Sequence, residues 1–258
     1  MPHVKVIERD WNWWAYFWRV QHRQTIHDIR QWDKTVVRFI SHELGCTRGQ
    51  TLLDLGCGSG EHTRLLAQKG VQCTGIEVAR SLVQYARKNA RLVRVNVDYI
   101  CMDMRHIAYR EEFDCCTMIS GTFGFFSDTQ NRLLLRKIAR ALRPGGKLLL
   151  DIRNARAPRK TTTSWMKLCN GYLVMADRYD AEHKREHGDC LFIDASGNVN
   201  VLTGALRRAT SRLYTLPEMK AMLRDARLRY LHAYCGFQVP PKELIPSYRR
   251  NIVVVAQK

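Results

Sequence analysis

Between Thr51 and Ile152, short apolar strand-like segments alternate with helix-like ones, and no other feature constrains the fold as strongly. The strand-like runs are Thr51 to Leu55, Val71 to Ile76, Val97 to Met102, Phe113 to Ile119 and Lys147 to Ile152. Between them, Glu61 to Lys69, Ala79 to Ala90 and Asp128 to Leu142 read as helices. The last carries Leu133, Leu134, Ile138 and Leu142, and Arg143-Pro144-Gly145-Gly146 ends it. Such alternation calls for a mostly parallel sheet covered by helices on both faces, an α/β doubly wound fold of the Rossmann-like kind. There is no internal repeat.

The flanks differ. Residues 1–45 read as a helical lid and hold five of the six tryptophans. Residues 155–212 lose the alternation, contain Gly171, Gly188 and Gly197, and read as an inserted β-rich cap. Residues 216–226 resume a helix, and Asn251 to Ala256 form a final β-rich run. The expected organisation is a lid (1–45), a core (46–154 and 213–258) and a cap (155–212). At 258 residues the chain can bury a large core without a disulfide or metal staple. Its composition, 45% hydrophobic and 26% charged, excludes a fibre or a low-complexity array. The nine cysteines are scattered, with no Cys-x-x-Cys pair, which argues against a zinc ribbon and fits a reducing cytoplasm. No run approaches the roughly 18 apolar residues of a membrane span, and no secretory signal is expected.

Charge is the abnormal quantity. Forty-two Lys and Arg oppose 24 Asp and Glu, a formal +18. That field suits an anionic partner, whether nucleic acid, a phosphorylated small molecule or an acidic membrane surface. It equally suits a solvated basic surface. The arginines form no long run, so a disordered basic arm is not expected.

Leu52-Leu53-Asp54-Leu55-Gly56-Cys57-Gly58-Ser59-Gly60 is the strongest local signal. A strand delivers the chain to a turn whose glycines let backbone approach a ligand, and a helix N-terminus follows. The dinucleotide fingerprint G-x-G-x-x-G does not fit, because the third glycine comes one residue early and Glu61 stands in its place. Asp54, before the first glycine, suits a cationic or amine-bearing ligand.

These residues resemble the first motif of the class I S-adenosylmethionine-dependent methyltransferases, an acid followed by G-x-G-x-G. The resemblance covers roughly residues 50–153. It implies a seven-stranded sheet and S-adenosylmethionine as cofactor, with S-adenosylhomocysteine as product. It also implies roles. Asp54, Gly56, Cys57, Gly58 and Gly60 would line the cofactor turn. Glu77, followed by Val78, would take the ribose hydroxyls. Asp103 would contact the adenine amine, Met104 would pack on or beside the ring, and Ser120 would line the cofactor site. All fall at the carboxyl ends of strands, where ligands of such sheets bind.

The acceptor is less legible. Met118-Ile119-Ser120-Gly121-Thr122-Phe123-Gly124 lacks the Asn/Asp-Pro-Pro-aromatic turn of base and amide methylation. No Pro-Cys or Thr-Cys loop for cytosine C5 chemistry is present. Small-molecule N or O transfer remains, and the pattern resembles the glycine/sarcosine and amino-sugar N-methyltransferase branch. That narrower likeness implies Tyr16 near the methyl-transfer site, as the catalytic candidate, and Arg30 on the cofactor carboxylate. Phe123 and Arg153 are further acceptor-binding candidates. Arg153, Arg156, Arg159 and Lys160 follow the fifth strand, which suits an anionic acceptor or a solvated loop. Trp11, Trp14 and Trp18 share a helical face that could pack on the core, form a lid or sit at a membrane surface. His183-Lys184-Arg185-Glu186-His187 matches H-x-x-E-H literally, but its polar surroundings read as a solvated turn or strand pair, and no metal is expected. Two alternatives stay open: an RNA-modifying enzyme, and a cofactor-binding regulatory protein without catalysis. Oligomeric state is not readable.

Overall fold

The computed structural model describes residues 4–6, 31–159, 161–168, 171–201, 210–240 and 250–258. Its main sheet has seven strands. β2 (Thr51–Leu55), β3 (Gln72–Glu77), β4 (Val97–Cys101), β5 (Phe113–Phe123) and β6 (Leu142–Arg153) are parallel, and β13 (Asn251–Gln257) runs antiparallel between β6 and β12 (Arg229–Tyr234). The order is β12-β13-β6-β5-β2-β3-β4. The chain winds outward from β2 through β3 to β4, then returns to the other side of β2 as β5. The direction of winding therefore switches between β2 and β5, and ligands of such sheets bind outside the carboxyl ends at that point.

Central parallel strands are buried on both faces, so they read as continuous apolar runs. Cys115 through Ile119 on β5 are all buried. Alternation on β2 sends Leu52 to one core cluster and Leu53 and Leu55 to the other. The Leu52 side is closed by α1 (residues 31–44), through Val36, Val37, Phe39, Ile40 and Leu44, and by Leu66 of α2 (Glu61–Gln68). The other side is closed by α4 (Asp128–Ala141) and α5 (Leu216–Asp225), through Leu134, Leu135, Ile138, Met219 and Leu223. α3 (Arg80–Leu92) packs Val83, Ala86 and Ala90 on Tyr99 of β4. Local signals set the helix starts. Ser127 caps α4 by accepting from the Gln130 N–H, and Thr215 and Glu218 form a capping box on α5.

A second sheet is inserted between β6 and α5. β7 (Thr162–Leu168), β8 (Gly171–Asp180), β9 (Arg185–Asp194) and β10 (Val199–Val201) are antiparallel neighbours, and β11 (Thr210–Arg212) pairs with β9. This is the β-rich segment expected after the fifth strand. The reading of the N-terminal flank as helical needs correction at Val4–Val6. Those residues form β1, which pairs in parallel with β10 and extends the inserted sheet. The paired residues are 195 apart in sequence, Val4 opposite Val199, so nothing local announces the contact. The literal H-x-x-E-H lies on the β8–β9 hairpin. His183 sits on its turn, and Glu186 and His187 lie on β9, paired with β8 and β11. Among the described residues there is no cluster suited to a metal ion, and no helix is long and apolar enough to cross a membrane.

Candidate active site

The glycine turn joins β2 to α2. Gly56, Gly58 and Gly60 have φ of 75°, 56° and 76°, the left-handed region in which a side chain is strained. The turn is pinned from below, where the Gly56 and Cys57 N–H groups donate to the Ile76 carbonyl at 2.8 and 3.1 Å. The glycines differ in what surrounds them. A Cβ on Gly60 would lie 2.3 Å from the Tyr99 hydroxyl oxygen, and one on Gly56 would lie 2.8 Å from the Thr122 methyl. A Cβ on Gly58 would meet nothing within 4 Å. Gly58 is therefore where backbone faces open space, as a close-approaching ligand requires.

Glu77 closes β3 and reaches the turn. It is buried, and its carboxylate accepts the Gly58 N–H at 3.1 Å and the Ala79 N–H at 2.8 Å. Burial pushes its carboxyl up, and the backbone donors oppose this. Asp54 is also buried and accepts from the Thr117 hydroxyl at 2.8 Å. Burial raises it, partly offset by His62. Asp54 thus lies under the turn, within the sheet, and Val78 is exposed beside it at the end of β3.

After β4, Asp103 caps a single 3-10 turn, Met104–His106. Burial would raise its carboxyl, but hydrogen bonds and charge from Arg105 hold it below the ordinary value. Arg105 donates from Nε at 3.1 and 3.0 Å and from Nη2 at 2.6 Å, and its guanidinium lies 4.5 Å from the Phe126 ring centre. The Met104 methyl lies 3.4 Å from the position a Gly56 Cβ would take. The ends of β2, β4 and β5 therefore converge on Gly56 through Met104 and Thr122. Thr122 was not singled out from the sequence; only the positive φ of the residues before it explains its approach.

Ser120 is exposed at the end of β5 with φ 63°, and its N–H donates to Asp151 at 2.9 Å. Phe123 is buried and packs on Tyr214, ring centres 5.5 Å apart, so it belongs to the core cluster. β5 rejoins the ladder at Phe123, opposite Ile152. Arg153, at the end of β6, donates to Glu186 of the inserted sheet, and Arg159 donates to the same carboxylate at 2.5 Å. Tyr16 and Arg30 lie outside the described residues.

Asp151 carries a pH signature. Burial pushes its carboxyl up to about 6, against bonds from Asn251, Ser120 and Gly121 and the Arg153 charge. A folded value above the ordinary 3.8 means the protonated form is favoured by folding. Stability is then full below about pH 4 and declines as pH rises through about 6. Relative to Asp151→Asn, the parent should lose on the order of 3 kcal/mol between about pH 4 and about pH 7. Urea denaturation of both proteins across that range measures it, and a pH-independent difference contradicts it.

Residues 52–146 match the family model described as a methyltransferase domain. The chain is 36% identical over 104 residues to the cypemycin N-terminal methyltransferase of Streptomyces sp, covering 40% of this chain and 42% of that one. It is 26% identical over 144 residues to the ubiquinone biosynthesis O-methyltransferase of Coxiella burnetii, covering 55% and 57%. The chain thus spans about half the length of the curated relatives it matches. Among solved structures, an S-adenosylmethionine-dependent methyltransferase from Clostridium acetobutylicum superposes with a TM-score of 0.71 at 14% identity, covering 87% and 91% of the two chains. A sugar N-methyltransferase from Streptoalloteichus sp gives 0.64 at 19%, covering 100% and 98%. The chain therefore has the Rossmann-like fold of S-adenosylmethionine-dependent methyltransferases, and its glycine turn lies inside the segment that matches the methyltransferase domain.

Proposed function

We propose that this chain is an S-adenosylmethionine-dependent methyltransferase that moves a methyl group to a nitrogen or oxygen of a small-molecule acceptor. One observation carries the reading. At the switch point of the sheet, a left-handed glycine turn faces open space at Gly58, with the Glu77 carboxylate bonded to its N–H. This fits the cofactor on its own chemistry, since the turn leaves room for close backbone approach and a carboxylate beside it accepts from a ribose diol. The cofactor supplies a sulfonium-bound methyl already activated for transfer.

The chain's residues bind and orient. Glu77 is fixed by two backbone donors, so its remaining lone pairs are directed without loss of side-chain freedom. Asp103, held by Arg105, presents a carboxylate to an exocyclic amine. Met104 packs beside Gly56 and contributes apolar surface. The inserted sheet, joined to the core through Glu186, shapes the acceptor side and excludes water, so that acceptor and methyl meet in line. Arg153, at this junction, is the candidate contact for an anionic group on the acceptor. Tyr16 and Arg30 complete the proposal as acceptor-side and cofactor-side residues. The amino-sugar branch is supported by the coverage of the sugar N-methyltransferase structure. The O-methyltransferase relative supports oxygen transfer equally, so the acceptor atom is left as N or O.

An RNA acceptor is the second reading. The outer face of α3 presents Arg87, Lys88 and Arg91 along a groove of about 380 Å³. Phosphate contacts there would give a steep loss of binding with salt.

The test is calorimetry with S-adenosylhomocysteine. Gly58→Val should fold yet weaken binding at least about a hundredfold, or about 2.7 kcal/mol, because the side chain fills the open face of the turn. Undiminished binding by that variant, or preferential binding of a nicotinamide dinucleotide by the parent, overturns the proposal.

A further inference from the structure

β5 leaves its ladder just before its carboxyl end. Met118 is in register with Leu150 and Phe123 with Ile152, so residues 119–122, four in number, stand opposite Asp151 alone. A bulge of this size pulls backbone N–H groups away from the neighbouring strand, and buried donors need replacement partners. Asp151 supplies them. Its Oδ2 accepts the Ser120 N–H at 2.9 Å, and the Gly121 N–H favours the charge of the same carboxylate. Its Oδ1 accepts from the Asn251 side-chain amide of β13 at 2.9 Å. Asp151 is 3% exposed.

The bulge needs such a clamp. Ser120 and Gly121 are consecutive left-handed residues, with φ of 63° and 66°. A non-glycine residue holds that conformation only where its surroundings over-determine it. The consequence reaches the cleft through Thr122. Its hydroxyl donates to the Ile119 carbonyl at 2.6 Å, and its methyl sits 2.8 Å from where a Gly56 Cβ would be. The bulge is thus packed against the glycine turn.

We propose that Asp151 is a positioning residue for cofactor binding: its carboxylate, steadied by Asn251, holds the Ser120–Gly121 bulge as the cleft wall facing Gly56. The proposal rests on the reading of this cleft as the S-adenosylmethionine site. Asp151 touches no ligand in this account and acts only through the bulge.

The experiment measures S-adenosylhomocysteine affinity by calorimetry, well below each variant's melting temperature. Asp151→Asn leaves one acceptor oxygen and one NH2 donor, so the bulge keeps its acceptor only if the Asn251 amide turns over to accept from that NH2. Its Kd should rise about tenfold or more. The reciprocal double variant Asp151→Asn/Asn251→Asp restores the pair in reverse. The amide oxygen at 151 accepts from the bulge while its NH2 donates to the carboxylate at 251, and Kd should return to within about threefold of the parent. A purely structural role would lower the melting temperature and leave the Kd of the folded protein unmoved, which overturns the proposal. A double variant no better than the single one also overturns it. If Asp151→Asn does not fold, the double variant is compared directly with the parent. A folded protein binding within about threefold supports the proposal, and loss of folding or a weaker Kd overturns it. Gly58→Val, run alongside, separates the two levels. If it binds undiminished, the cofactor reading fails. If it loses binding while Asp151→Asn does not, only the positioning role fails.

Discussion

Gly60→Ala should destabilise the protein by about 2–5 kcal/mol, the sum of a strained left-handed alanine and an overpacked contact. Gly60 is the residue before α2, at φ 76°. Its Cβ would lie 2.3 Å from the Tyr99 hydroxyl oxygen and 2.6 Å from two ring carbons. Tyr99 cannot withdraw. It is 1% exposed and packs on α3, with its hydroxyl 3.0 Å from the Gly60 carbonyl and 2.8 Å from the Thr63 hydroxyl. The clash is with the rigid ring of a fixed side chain, so relief requires moving the start of α2 or the end of β4. Gly49→Ala is the control. Gly49 has φ 87° with nothing within 4 Å of a Cβ, so it incurs only the backbone cost, about 1 kcal/mol. At about 2–4 °C per kcal/mol for a chain of this size, Gly60→Ala should melt about 5–20 °C below the parent and Gly49→Ala only a few degrees below. Equal melting temperatures for the two variants would show that Tyr99 does not resist the added methyl.

The contrast between Gly58 and Gly60 marks what a sequence can disclose. The strand, the glycines and the following helix are contiguous, so the turn is legible from spacing alone. Which glycine serves the fold and which faces open space depends on Tyr99, 39 residues away, and spacing is silent about it. The central strands were equally legible, because burial on both faces writes an uninterrupted apolar run such as Cys115 to Ile119. β1 was not, because three residues that complete a sheet at Val199–Val201 carry no pattern of their own. The β5 bulge was hidden for a related reason. Ser120-Gly121 looks like an ordinary strand end until Asp151 is found opposite it with its carboxylate bonded to the Ser120 N–H. Glu186 was visible only as part of the literal H-x-x-E-H match. Its partners, Arg153 and Arg159, were singled out as a basic rim, and nothing in the sequence joins the two observations.

That junction carries the second large effect. Glu186→Gln should cost about 3 kcal/mol, the expected scale for stripping one partner from a buried charge cluster. The Glu186 side chain is 9% exposed and receives Arg153 and Arg159 together. Arg159 is 5% exposed, and its Nε has no hydrogen-bond partner, so Glu186 is its main compensation. Burial lowers the Arg159 pKa, and Glu186 opposes that shift. Without the carboxylate a buried guanidinium faces a second one. Arg153 is 37% exposed and half solvated, so Arg153→Ala should cost only about 1 kcal/mol. The cost of Glu186→Gln therefore comes from the stranded Arg159. Glu186→Leu/Arg159→Met, which removes both buried charges, should be less destabilised than Glu186→Gln alone. Urea unfolding of the four proteins gives the comparison, and a Glu186→Gln loss smaller than that of Arg153→Ala would refute the argument. The same cluster bears on acceptor charge. Arg153 and Arg159 share the Glu186 carboxylate, and the charges of Asp177 and Arg250 act on the same cluster. If Arg153 contacts an anionic acceptor, Arg153→Ala raises the acceptor KM and that increase shrinks with added salt. If Arg153 only ties the inserted sheet to the core, its loss lowers stability and leaves the salt dependence of KM unchanged.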